Sequence, residues 1–105
     1  MPTLVQNKQH IMKLLRMNRA RIKALGVRRI GLFGSFVRGE NRPRSDVDIL
    51  VEFEPRRKTF DNFMDLALFL EEILQRKVEL VTTESLSPFL GPHILKEVVY
   101  VSLAA

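Results

Sequence analysis

Residues 34–53 read GSFVRGENRPRSDVDILVEF, and this stretch decides how the rest of the chain is interpreted. It opens with the pair Gly34-Ser35 and continues through a polar segment rich in Gly, Arg and Pro. It ends in Val47–Phe53, where apolar residues alternate as in a β-strand. The apolar segment Val27–Phe33, directly before the pair, predicts another strand. We therefore expect two strands joined by a polar loop, with the first strand closed by Gly34-Ser35.

The flanking sequence adds helices and a third strand. The predicted elements are a helix from Thr3 to Leu25, strands Val27–Phe33, Val47–Phe53 and Val78–Val81, a helix from Phe60 to Leu74, and a last helix that includes Ile94, Leu95, Val98 and Val99 and begins near Ser87-Pro88 or Pro92. This order, α-β-β-α-β-α, predicts an α/β (α+β) fold with a small mixed three-stranded sheet covered by helices.

Length and composition narrow the class of protein. With 105 residues, of which 46% are apolar, we expect a single domain over residues 1–105. The absence of cysteine excludes disulfide frameworks, zinc–thiolate sites and thiol nucleophiles. No apolar stretch approaches the roughly 20 residues of a membrane span, and bases interrupt the amino-terminal segment where a signal peptide would be apolar. We therefore expect a cytoplasmic protein.

Charge is unevenly distributed along the chain. Residues 1–39 contain nine lysines and arginines and no acid, whereas the remainder contains eight bases and all twelve acids. The bases of the first helix are typical of a solvated helix face, although a field of one sign also attracts anions such as a triphosphate. Nonspecific nucleic-acid binding therefore stays open as an alternative function.

Two carboxylates open the strand Val47–Phe53. Asp46 and Asp48 are two residues apart, so their side chains point to the same face of a strand. At about 4–5 Å and an effective dielectric near 20, their repulsion is about 3–4 kcal/mol, which a proton or a cation would relieve. Hard divalent cations bind oxygen ligands, so the pair predicts a Mg²⁺ site.

A phosphate site is expected beside these carboxylates. Gly34 permits close approach of the backbone, and the Ser35 hydroxyl and the amides of a following helical turn are suited to phosphate oxygens. Glu79 would complete a three-carboxylate cluster if its strand lies beside Val47–Phe53; an exposed glutamate on an edge strand is the alternative. Such a combination is typical of phosphoryl or nucleotidyl transfer.

Particular residues exclude three other motifs that bind phosphate or metal ions. A P-loop would require Lys and Ser/Thr where Glu40 and Asn41 stand. An EF-hand starting at Asp46 would require an acid or amide at Leu50 and a glycine at Val51. A haloacid-dehalogenase motif would place its aspartates at the end of a strand rather than the beginning.

The Gly34-Ser35 pair followed by Asp46-x-Asp48 resembles the signature of the DNA polymerase β-like nucleotidyltransferase superfamily. Arg38-Gly39-Glu40 and the segment after Asp48 are similar in particular to the minimal nucleotidyltransferases, small prokaryotic proteins often paired with a HEPN-domain protein. The resemblance covers nearly the whole chain in length and element order, and it implies a polymerase β-like palm.

The resemblance also implies roles for individual residues. Gly34 and Ser35 would hold the β and γ phosphates, and Arg38 would steady either the phosphate or carbonyls of its own loop. Asp46 and Asp48 would bind two Mg²⁺ ions. Glu79 would occupy the third carboxylate position, where family members commonly have aspartate.

The implied function is transfer of AMP from ATP to a hydroxyl of a HEPN-domain toxin, with release of pyrophosphate; an oligomeric complex with that partner is part of this expectation. This would make the protein the antitoxin-like member of a toxin–antitoxin pair. A noncatalytic module that neutralises its partner by contact is the alternative from a different class.

Overall fold

The computed structural model describes residues 7–104, and it contains a four-stranded sheet with five α-helices. The elements in chain order are α1 (Lys8–Met17), α2 (Arg19–Ala24), β1 (Val27–Phe33), α3 (Ser35–Arg38), β2 (Val47–Phe53), α4 (Phe60–Leu74), β3 (Val78–Thr82), a 3₁₀ turn (Thr83–Ser85), α5 (Gly91–Glu97) and β4 (Val99–Val101). The mixed α/β architecture and the predicted β1, β2 and α4 are confirmed.

The sheet has the order β3-β2-β1-β4, so the two central strands are β1 and β2. β1 runs antiparallel to both β2 and β4, whereas β2 and β3 are parallel. The sheet is therefore mixed, as expected, but it has four strands rather than three. β4 was missed because the apolar run through Val98 and Val99 was assigned to the last helix; short apolar runs fit either period.

Two helix predictions need correction. α5 ends at Glu97, after which Val98 is extended and Val99 pairs with Leu32 of β1. The predicted helix from Thr3 to Leu25 is divided at Asn18, whose side-chain amide donates to the Leu14 carbonyl at 2.8 Å. This bond competes with helix continuation and separates α1 from α2. The part of that prediction before residue 7 lies outside the described residues.

The main core lies between one face of the sheet and the helices α1, α2 and α4. Its fully buried side chains include Ile11, Leu15, Ile22, Leu66, Leu70 and Leu74, packed with Val47, Ile49 and Val51 of β2. Since alternate residues of a strand point to opposite faces, Asp48 and Leu50 lie on the other face. The core thus fixes the position of β2 and leaves the Asp48 side chain pointing away from the helices α1 and α4.

Candidate active site

The predicted phosphate loop and carboxylates meet at one end of the sheet. β1 ends at Phe33 where β2 begins, because these strands are antiparallel, and β3 begins at the same end because it is parallel to β2. The register aligns Phe33, Asp48 and Glu79 across the three strands. Neighbouring strands are about 4.8 Å apart, so Asp48 and Glu79 are adjacent on one sheet face. The strand of Glu79 therefore lies beside β2, which is the condition for the three-carboxylate cluster expected from the sequence.

Gly34 is the point where the loop touches the carboxylates. Its φ of 82° lies in the region that favours glycine, and a Cβ built on it would fall onto Oδ2 of Asp48. The Gly34 carbonyl accepts the N–H groups of Val37 and Arg38 at 3.1 and 3.2 Å, which starts the predicted helical turn, α3. The glycine therefore both opens α3 and leaves space for the Asp48 carboxylate.

Asp48 has an unusual proton affinity. The pKa of Asp48 is raised from 3.8 to about 6, most strongly by burial and in addition by the neighbouring carboxylates of Glu79 and Asp46. The Arg38 guanidinium acts in the opposite direction with a smaller effect. The site thus concentrates negative charge around one partly buried carboxylate, which is the electrostatic condition for binding a cation.

Asp46 and Glu79 are exposed at the two sides of Asp48. Across residues 7–104, no set of three or more His, Cys, Asp or Glu side chains is arranged closely enough to hold a metal ion. The structure therefore makes Asp46, Asp48 and Glu79 electrostatic neighbours without gathering them into a coordination cage. Their role as metal ligands stays a prediction, and so does the phosphate role of Gly34 and Ser35.

Arg38 lies at the mouth of this site in an ion-pair network. Its Nε donates to Glu40 at 2.7 Å, and its Nη1 donates to Glu97 at 2.6 Å. The second oxygen of Glu97 accepts the Gly34 N–H at 2.7 Å. The bonds of Arg38 thus run to carboxylates. Sequence reasoning missed Glu97, because it lies 63 residues from Gly34 at the end of a short helix and no local motif marks it.

Arg76 braces the loop that precedes Asp46. Its Nη1 donates to the carbonyls of Pro43 and Ser45 at 2.7 and 3.3 Å, and its guanidinium lies 5.2 Å from the centre of the Phe36 ring. The Val47 N–H also donates to the Lys77 carbonyl at 2.9 Å. This end of the sheet therefore ties α4, α3 and the loop together. Arg76 was likewise missed, since its partners are distant in sequence.

Comparison with known proteins identifies the family. Residues 11–101 match the sequence model described as "Nucleotidyltransferase domain", which is most of the chain. The chain belongs to this family. The nucleotidyltransferase prediction and the enzyme class are confirmed, and divalent metals are generally used by nucleotidyltransferases of this kind.

Relatives of this nucleotidyltransferase include a protein adenylyltransferase. This chain is 49% identical to the protein adenylyltransferase MntA of Thermococcus cleftensis over 76 residues, and the match covers 72% of this chain and 76% of that protein. A solved minimal nucleotidyltransferase matches with 36% identity and a TM-score of 0.68, over 84% of this chain and 93% of the other. A toxin–antitoxin structure with AMP-PNP matches with 29% identity and a TM-score of 0.65, over 95% and 74% of the two chains.

The helices of the nucleotidyltransferase are short. Within the described range, 7–104, none is long and apolar enough to cross a bilayer.

The pKa of Asp48 predicts a pH-dependent contribution to stability. Its folded value of about 6 is above its ordinary 3.8, so protonation favours the folded state. This contribution is fully present below pH 3.8 and is lost as pH rises through 6. The pKa values of Glu84 and Glu97 are lowered and act oppositely, so the comparison must be with Asp48→Asn. In the presence of a chelator, we expect the melting temperature of Asp48→Asn to exceed that of wild type at pH 7 and this difference to narrow towards pH 4.5. A difference in melting temperature that does not depend on pH would contradict a raised pKa for Asp48.

Proposed function

We propose that this nucleotidyltransferase transfers AMP from ATP to a side-chain hydroxyl of a HEPN-domain toxin partner. The observation that carries the proposal is the contact between Gly34 and the Asp48 carboxylate. It joins a glycine-serine loop suited to phosphate with carboxylates suited to divalent cations. The names of the relatives, a protein adenylyltransferase and a toxin–antitoxin with AMP-PNP, support the donor and the partner.

The reaction is a displacement at the α phosphorus of ATP. The acceptor oxygen forms a bond to this phosphorus as the bond to the oxygen bridging the α and β phosphates breaks, and pyrophosphate leaves. The hydroxyl proton passes to a carboxylate of the site. Gly34 and Ser35 would hold the β and γ phosphates, and Arg38 would approach them from the mouth of the site. The main role of the chain is to position the donor and stabilise charge.

Asp46, Asp48 and Glu79 would hold two Mg²⁺ ions, since all three offer the carboxylate oxygens that this cation binds. Carboxylate oxygens are preferred Mg²⁺ ligands, and burial together with the neighbouring carboxylates of Glu79 and Asp46 raises the pKa of Asp48, so a cation there would relieve an unfavourable charge. When bound, the ions would neutralise phosphate charge and promote ionisation of the acceptor hydroxyl. Glutamate at position 79 retains the ligand type, with one more methylene than aspartate.

Mg²⁺ binding should depend on pH. Because the ligand must be deprotonated, Mg²⁺ competes with a proton for Asp48 near pH 6. With a nonhydrolysable ATP analogue present, we expect Mg²⁺ to raise the melting temperature, and the Mg²⁺ concentration that gives half of this rise should be about tenfold higher at pH 5 than at pH 7.5. Calorimetric scans over a series of Mg²⁺ concentrations at each pH provide the measurement. Equal half-effect concentrations at the two pH values would contradict a role for Asp48 as ligand.

Transfer chemistry can be tested with the position of the label in ATP. Purified partner is incubated with this protein, Mg²⁺ and ATP labelled at either the α or the γ phosphate. We expect stable label on the partner only from the α position, with pyrophosphate as product. Label from the γ position would indicate phosphoryl transfer instead.

The same labelling experiment tests Glu79. Glu79→Ala should abolish labelling and Glu79→Asp should retain it, whereas normal labelling by Glu79→Ala would show that Glu79 has no role in the site.

A further inference from the structure

Glu97 connects the carboxyl-terminal part of the chain with the candidate active site. α5 ends at this residue, and β4 begins two residues later with Val99, which pairs with Leu32 of β1. Continuing that antiparallel register by two residues would bring Gly34 opposite Glu97. At this position the side chain of Glu97 accepts the Gly34 N–H at 2.7 Å. The Glu97 carboxylate thus binds the phosphate loop at Gly34, just beyond the last paired residues of β1 and β4.

Both oxygens of Glu97 are used. Oε2 accepts from Gly34, and Oε1 accepts from Nη1 of Arg38 at 2.6 Å. The Glu97 side chain is 19% exposed; its bond to the Gly34 N–H is partly buried, whereas its bond to Arg38 is exposed. Glu40 accepts from Nε of the same guanidinium at 2.7 Å, which holds Arg38 between two carboxylates. Hydrogen bonds between ionised groups are short and strong, and they orient their partners.

The position of Gly34 matters because its Cα lies against the Asp48 carboxylate. A bond that fixes the Gly34 amide therefore fixes the spacing between the phosphate loop and Asp48. We infer that Glu97 is a positioning residue for nucleotide binding: it holds the Gly34 backbone and the Arg38 guanidinium in the arrangement that receives the phosphates of ATP. This inference rests on the proposed function for the identity of the nucleotide.

Kinetics of partner labelling test this role with three variants. Glu97→Ala loses both bonds, Glu97→Asp keeps the charge on a side chain one methylene shorter, and Glu97→Gln keeps an oxygen acceptor for Gly34 but loses the ion pair with Arg38. We expect the KM for ATP to rise about tenfold for Ala and Asp and about threefold for Gln. The KM for the partner should stay within twofold of wild type, which a general loss of folded protein would not explain.

Two further variants sharpen the result. Glu84→Gln is the matched control, because Glu84 forms an exposed ion pair with Lys58 at 2.9 Å and lies beyond the opposite end of β3. It should leave both KM values unchanged. In an Arg38→Ala background, Glu97→Ala should raise the KM for ATP less than it does in wild type, because the Arg38 bond is already absent.

A nucleotide-free measurement separates this inference from the proposed function. Amide hydrogen exchange of Gly34 should accelerate in Glu97→Ala and remain slow in Glu97→Gln. If wild type transfers no label, the proposed function fails while the exchange rates still decide the positioning of Gly34. The inference is overturned if exchange is the same in Glu97→Ala and wild type. It is also overturned if all three Glu97 variants keep the wild-type KM for ATP, or if Ala and Gln lower it, since Glu97 would then be a competing anion.

Discussion

Asp48→Asn is expected to lower AMP transfer at least about a thousandfold while stabilising the metal-free protein. The loss of activity follows because an amide is a weaker ligand for divalent cations than a carboxylate, and such cations contribute several kcal/mol to transition-state stabilisation. The gain in stability follows because the pKa of Asp48 is raised to about 6, so its ionised form is disfavoured in the fold at pH 7.

The size of the stability effect can be bounded. A shift of one pKa unit corresponds to about 1.4 kcal/mol, and discounting for solvent screening leaves roughly 1 to 2 kcal/mol for Asp48 at pH 7. For a domain of this size, we expect the melting temperature to rise by about 5 °C in chelator. Asp65→Asn, on the exposed side of α4, is the control and should change neither property. A melting temperature for Asp48→Asn below that of wild type would show that the buried charge is compensated.

Gly34→Ala is expected to lower transfer strongly and to destabilise the fold. Its methyl group would collide with the Asp48 carboxylate, and its φ of 82° disfavours any Cβ. With φ 82° and ψ −154°, this backbone lies in a region essentially restricted to glycine, which costs about 1–3 kcal/mol for a residue with a side chain, and displacement of Asp48 adds to this. We expect transfer to fall at least about a hundredfold, which corresponds to about 2.7 kcal/mol in the barrier.

Gly39→Ala is the matched control for this substitution. Gly39 also has a positive φ, 73°, but its ψ of 21° places it in the left-handed helical region, unlike Gly34, and a Cβ there would meet nothing within 4 Å. Gly39→Ala should therefore show only the strain of that region, without a collision, with a decrease of about 1 kcal/mol in the free energy of unfolding. Chemical denaturation and partner labelling measure the two effects. Similar transfer by the Gly34→Ala and Gly39→Ala proteins would contradict the proposed contact between the loop and Asp48.

The strands β1 and β2 and the helix α4 were predictable to the residue because each combines a clear period with flanking turn residues. Val47–Phe53 follows a polar loop, and Phe60–Leu74 has its capping Thr59, whose side chain accepts the Asn62 N–H at 3.1 Å. These are local signals. β4 has only three residues, and it forms a strand because the edge of β1 offers partners from a distant part of the chain.

The residues of the candidate site also fall into two groups: those marked by local sequence signals and those placed by distant parts of the chain. Gly34, Ser35, Asp46 and Asp48 were found because their spacing within one loop is local. The adjacency of Glu79 and Asp48 depended on a parallel strand pairing that periodicity alone does not determine. Glu97 and Arg76 act through ionic and hydrogen-bonded contacts with residues far away in sequence. Such contacts become visible only when the fold brings α5 and the end of α4 to this edge of the sheet.

The proposed role of Asp46 and Asp48 is to catalyse transfer of AMP to the partner, rather than merely to support contact with it. Its most direct measurement is the mass and activity of the purified HEPN-domain partner after incubation with ATP, Mg²⁺ and either wild type or the Asp46→Ala/Asp48→Ala double variant. We predict that wild type adds AMP to the partner and inhibits it, and that the double variant binds the partner but does neither. Inhibition by the double variant, with no added mass on the partner, would contradict the catalytic account and favour neutralisation by contact.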